Sequence, residues 1–196
     1  MKKISQSLFL FHVLVLLFSC KEKKKAPTEA EKYFPVLSFI KSQVAQVDTS
    51  LYSIRKITYI DSVRTDTTHY KREQFRELAA DFLNLPDLAD PKYQGRFVEK
   101  RTFDTALNRA MFILEPLKPE EEEIKRQEVL IRPDPPNDKI TNIIIDYIKG
   151  NRDSSIQKKL LWQVDRSFQV TSIRQLPGQK EIISTYKVIW NEEDNE

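Results

Sequence analysis

The chain holds one cysteine, three glycines and two histidines among 196 residues, and each scarcity removes a class of chemistry. A single thiol, Cys20, can form no disulfide within the chain and no multi-cysteine zinc site, so the fold must rest on its core alone. Phosphate cradles need closely spaced glycines that let the backbone approach the anion, and Gly95, Gly150 and Gly178 are isolated. His12 lies in an apolar run near the start, which leaves His69 as the imidazole for any nucleophile–base pair. The nearest serines, Ser38, Ser42, Ser50, Ser53 and Ser62, sit in no Gly-x-Ser-x-Gly elbow, so His69 reads as a structural residue. Asp61, Asp66, Asp81, Asp87 and Asp90 lack the spacing and the glycine of a calcium loop. The four glutamates 120–123, which follow Pro119, read as a solvated turn. No cofactor and no metal are implied. Long hydrophobic runs are also missing: the apolar stretch 8–18 falls short of the roughly 20 residues needed to cross a bilayer.

What is present divides the chain. A basic start (Lys2, Lys3) leads into apolar residues 4–18, broken by Ser5, Gln6, Ser7 and His12, and ends in Leu17-Phe18-Ser19-Cys20. A positive n-region, a short h-region and a small residue before the cut are the parts of a secretory signal. With cysteine directly after Leu-Phe-Ser, the segment resembles a bacterial lipoprotein signal. That resemblance implies a diacylglyceryl thioether on Cys20, palmitate-type acylation, and cleavage that leaves Cys20 as the mature N-terminus anchored in a membrane. Residues 1–19 are then a signal peptide and 20–32, with Lys21, Lys23, Lys24 and Lys25, a flexible lysine-rich tether. Two of the net +3 charges belong to Lys2 and Lys3, so the pI near 8.8 lends nothing to a nucleic-acid partner.

Hydrophobic residues at 40% and charged residues at 31% fit a folded domain, here 33–191, followed by an acidic tail at 192–196. Pro35 suits a first helical turn, and Val36, Leu37, Ile40, Val44 and Val47 recur at helical spacing, predicting a helix over 35–47. Phe75, Leu78, Ala79 and Phe82 predict a second over 72–84, ended by Pro86. Residues 51–60 and 63–70 read as strands. In the first, Tyr52 and Ile54 are out of phase with Ile57 and Tyr59, which suggests a bulge or two covered faces. From Gly95 onward strands are expected at 96–103, 107–117, 124–132, 140–149, 156–164, 168–175 and 181–190. The turns between most of them are too short for parallel crossovers. The fold class is therefore α+β: N-terminal helices packed on a long antiparallel meander, in a single domain. Ile143, Ile144 and Ile145 leave no polar face, so both sides of the sheet are partly covered.

Trp162, Phe168, Tyr186 and Trp190 fall on neighbouring strands. They are either cross-strand core partners or the lining of a concave site for an apolar ligand. Three functional readings follow. One is a non-catalytic, membrane-anchored envelope lipoprotein that binds an envelope protein partner or supports envelope assembly. The second is a binding module for an apolar ligand such as a lipid acyl chain, and the third is a hydrolase using carboxylates that spacing cannot reveal. The short lipoprotein signal, lysine-rich tether and Tyr/Ile/Lys-rich strands resemble envelope lipoproteins of Bacteroidota-type Gram-negative bacteria. Surface-exported members of that group carry an acidic run after the cysteine. Lys21-Glu22-Lys23-Lys24-Lys25 departs from it, and that departure favours an outer-membrane anchor facing the periplasm, with exposure on the cell surface as the alternative.

Overall fold

The computed structural model describes residues 33–151 and 153–192. The signal, the tether, Cys20 and most of the acidic tail lie outside the described residues. The described residues belong to one compact unit.

Helix α1 (Val36–Asp48) starts directly after Pro35 and buries Val36, Ile40, Val44 and Val47, the stripe its spacing predicts. A hairpin follows, β1 (Ile54–Tyr59) and β2 (Thr65–Tyr70). The expected second helix is broken into a 3-10 turn at Arg72–Gln74, then α2 (Phe75–Leu78) and α3 (Ala80–Leu83). The break falls at Ala79, which is fully buried with φ −85° and ψ 5°. Helices this short have almost no stability of their own, so packing sets their course. Here the break places Phe75 and Phe82 in contact with the same sheet ring, Phe168.

The meander comprises β3 (Phe97–Asp104), β4 (Arg109–Pro116), β5 (Ile124–Arg132), β6 (Lys139–Gly150), β7 (Ser155–Gln163), β8 (Ser167–Gln175) and β9 (Ile182–Ile189). Every pairing is antiparallel, in the order β2-β1-β9-β8-β7-β6-β5-β4-β3. The N-terminal hairpin thus completes the sheet beyond its last strand. Among the described residues, nine strands against three α-helices make the fold mostly β, so the α+β class holds only loosely. Asn108 (φ 50°) and Asp165 (φ 60°) sit at left-handed positions in the β3–β4 and β7–β8 turns, which Asn and Asp tolerate better than other side chains. Gly150 is required for space: a Cβ there would meet the Ser154 carbonyl at 2.4 Å.

The core lies on one sheet face under the helices. Ile143, Ile145, Leu160, Trp162, Phe168, Val170 and Val188 project into it from the strands. Ile144 belongs to the other phase and is half-buried, which resolves the run of three isoleucines. The suggested bulge in β1 is absent, because its register runs unbroken from Ile54 to Tyr59. Ile54 faces the core, Ile57 and Tyr59 face the opposite side, and Tyr52 precedes the strand. Register shifts occur in the β5–β6 pairing instead, one of them between Leu130 and Ile131. The second sheet face carries an ion-pair ladder across β3, β4 and β5. Lys100 meets Glu115 at 2.5 Å, Arg126 meets Glu115 at 2.6 Å, and Arg126 also bonds Glu128. These cations hold the Glu115 carboxyl below the usual carboxylate range, Lys100 contributing most.

Trp162 is fully buried, stacked on Phe168 at 5.3 Å and met edge-on by Phe82 at 5.1 Å. Trp162→Ala is expected to cost about 3–5 kcal/mol, measured by chemical denaturation. The indole Nε1 has no hydrogen-bond partner among the described residues. Trp162→Phe, which keeps a ring and deletes an unsatisfied donor, is therefore expected to cost far less. Equal losses in the two variants would contradict the packing account.

Candidate functional site

Trp162, Phe168 and Tyr186 come together on the core face of β7, β8 and β9, as their strand phases require, and Trp190, just past the end of β9, joins them. They are covered from above. Phe75 packs on Trp190 at 5.1 Å and Phe168 at 6.0 Å, while Phe82 packs on Trp162 and Phe168. Trp190 is 3% exposed although it borders the polar tail. The four residues make a closed aromatic layer, and none of them lines the clefts described below.

Tyr186 is the one member with a polar partner. Its hydroxyl donates to Asp81 on α3 at 3.0 Å, Lys158 of β7 pairs with the other Asp81 oxygen at 2.5 Å, and Lys56 lies 4.4 Å above the Tyr186 ring. Asp81 therefore ties the short helix to two strands, and sequence spacing offered no sign of it. Burial, then the Asp81 charge, pushes the Tyr186 phenol up.

His69 stands exposed on the edge strand β2, opposite Arg55 in register. The 120–123 segment is less solvated than its sequence suggests. Glu122 is 8% exposed and paired with Arg96 at 2.6 Å, and Glu123 accepts the Tyr147 hydroxyl at 2.9 Å. Burial, then Glu123, raises the Tyr147 phenol to about 12. Arg96 and Glu122 border a cleft of about 370 Å³ beside Tyr93 and Phe97. Among the described residues no three His, Cys, Asp or Glu side chains gather as a metal site, and no helix is long and apolar enough to cross a membrane.

A cationic concavity lies at the other end of the strands. Arg109 opens β4, Arg132 closes β5, Lys139 opens β6 and Arg166 lies in the β7–β8 turn; together they border a cleft of about 210 Å³. Asp165 is the only carboxylate in its lining. Arg109 donates to two neutral oxygens, Thr141 Oγ1 and, at 3.1 Å, Asn142 Oδ1. Thr141 lies at the register shift between β5 and β6 and donates in turn to the Leu130 carbonyl at 3.2 Å. The Asp165 amide is held at 2.9 Å by the side-chain oxygen of Gln43, a buried polar residue of α1. The walls are thus strand ends and a turn pinned to a helix.

Set against known proteins, the chain matches no family model, no curated protein and no solved structure.

Both raised phenols hold their protons more tightly folded than unfolded, where they titrate near 10. The stability tied to those protons is whole below pH about 10 and is lost as pH climbs through the folded values. Alkaline titration at 295 nm is expected to show late-ionising tyrosines whose ionisation accompanies unfolding, and one fewer of them in Tyr186→Phe. A wild-type curve with all tyrosines ionising near pH 10 before any unfolding would refute the Asp81–Tyr186 assignment.

Proposed function

We propose that the protein is an envelope lipoprotein, held to a membrane by a lipid on Cys20, whose domain binds a protein partner or supports envelope assembly without catalysing a reaction. The observation that carries this reading is Leu17-Phe18-Ser19-Cys20 after a basic, apolar leader, with the only cysteine of the chain at that position. A lysine-rich tether then precedes a domain whose first described residue, Tyr33, is fixed by its hydroxyl to the Phe97 carbonyl at 2.6 Å. The domain supports a binding role in two ways. Its aromatic face is filled by its own helices, which leaves the Trp162 layer as scaffold in preference to a cup for an acyl chain. Its polar clefts are distributed over both ends of the strands, and His69 stands on an edge strand opposite Arg55. Lys21, Lys23, Lys24 and Lys25 after the cysteine favour an outer-membrane anchor on the periplasmic side.

Two or more acyl chains hold a protein stably on a bilayer where one does so only marginally. Cys20→Ser is expected to release the protein from the membrane fraction or to leave it uncleaved. A Cys20→Ser protein of mature size that still sediments with membranes would overturn the reading. Protease added to intact cells is expected to spare the wild-type domain, and its digestion there would move the anchor to the cell surface.

A further inference from the structure

We infer that the cleft formed by Arg109, Arg132, Lys139 and Arg166 is a binding site for a phosphate group, carried by a lipid headgroup or by a small soluble phosphate ester. The inference does not depend on the lipid anchor. Four cations face one carboxylate, Asp165, across about 210 Å³. Cations brought this close together and partly desolvated repel one another, and a bound anion removes that cost.

Two of the four make no close ion pair among the described residues. Arg109 is half-buried and spends one nitrogen on the neutral oxygens of Thr141 and Asn142. Arg132 is half-buried and its side chain makes no hydrogen bond or close ion pair among the described residues; Asp134, whose carboxyl it helps to lower from a distance, is taken by Lys139 at 2.5 Å. Guanidinium groups present planar pairs of donors that match phosphate oxygens two at a time, and the Lys139 ammonium adds a point charge at the mouth.

Size and rigidity point the same way. The cleft is smaller than the roughly 300–1,000 Å³ of pockets that enclose whole drug-sized molecules, which suits an anionic head whose remainder stays outside. Arg109, Arg132 and Lys139 are the terminal residues of paired strands, and Arg166 follows the Asp165 amide that Gln43 holds. Binding here orders little that is not already ordered, so the attraction is not consumed by conformational entropy. The register shift beside Leu130 turns Thr141 toward Arg109 and fixes its guanidinium; bulges of this kind re-aim side chains at sites.

The test follows thermal unfolding of the purified full chain at matched ionic strength. The additions are sodium chloride, inorganic phosphate, dihexanoyl phosphatidylglycerol below its micelle concentration, and neutral dihexanoylglycerol. A ligand that binds the folded state raises the midpoint in proportion to its occupancy. The midpoint is expected to rise with phosphate, with phosphatidylglycerol or with both, and Arg132→Gln is expected to weaken the apparent affinity about tenfold, the loss of one charge-assisted contact. A rise with phosphate alone identifies a soluble ester as the source, and a rise with phosphatidylglycerol alone identifies a headgroup. Because the Arg132 side chain makes no hydrogen bond or close ion pair, its variant should unfold in chloride close to the wild-type midpoint. If it does not, Lys139→Gln is the second variant, read by the size of its phosphate-induced rise relative to its own midpoint in chloride, since it also releases Asp134. No rise with either phosphate compound, an equal rise with dihexanoylglycerol, or an undiminished rise in both variants would overturn the proposal.

Discussion

Five aromatic rings exclude water from the junction between the helices and the sheet: Phe75 and Phe82 from above, Trp162, Phe168 and Trp190 from below. With one cysteine in the chain, no disulfide within it can substitute for this contact. The helices depend on it most. Two pieces of four residues each, separated at Ala79, have no helical cooperativity to draw on and persist because each buries a phenylalanine in the aromatic layer. The Asp81 contacts to Lys158 and Tyr186 then fix α3 in direction, a role that the nondirectional hydrophobic effect cannot fill.

The same layer governs how the sheet closes. β1 and β2 come early in the chain but pair beyond β9, and Ile54 is the hairpin's one fully buried strand residue. Arg55 reaches Glu192 just past the last strand. The hairpin gains its partner only when β9 is in place, and β9 is held through Val188 and Trp190 in the aromatic core. The sheet is local along its meander and strongly non-local at this one seam. Non-local pairings bear the loop-closure cost, which makes the seam the slow step expected of this topology.

Much of this was legible in the chain itself. Short turns force antiparallel neighbours, so the meander from β3 to β9 could be placed to within a residue or two, and Pro35 marked the start of α1. The break at Ala79 could not be read, because Phe75, Leu78, Ala79 and Phe82 satisfy a continuous helical period and only the sheet's aromatic surface decides otherwise. Glu122 reads as a solvated acid in the sequence because its partner, Arg96, lies 26 positions away and local composition carries no trace of the pairing. The phase slip in β1 suggests a bulge or two covered faces, whereas the strand keeps an unbroken register with one residue in the core and a half-exposed far side.

The cationic cleft was hidden for a related reason, yet its signal was present. In an antiparallel meander the end of one strand and the start of the next lie at the same end of the sheet. Arg109, Arg132, Lys139 and Arg166 occupy such positions for β4, β5, β6 and the β7–β8 turn, so charges spread over nearly sixty positions become neighbours once the strand boundaries are known. No spacing rule of the kind that marks a metal or phosphate loop applies, since the periodicity belongs to the strands and not to the residues. The division of labour follows from the physics of each surface. Aromatic residues converge where two layers can shut water out, and that region is already full. Arginines tolerate only partial burial without a partner, so they sit at strand ends where the backbone is rigid and solvent still reaches. A site for an anion therefore has to lie at the margin of this sheet, away from the rings that hold the fold together.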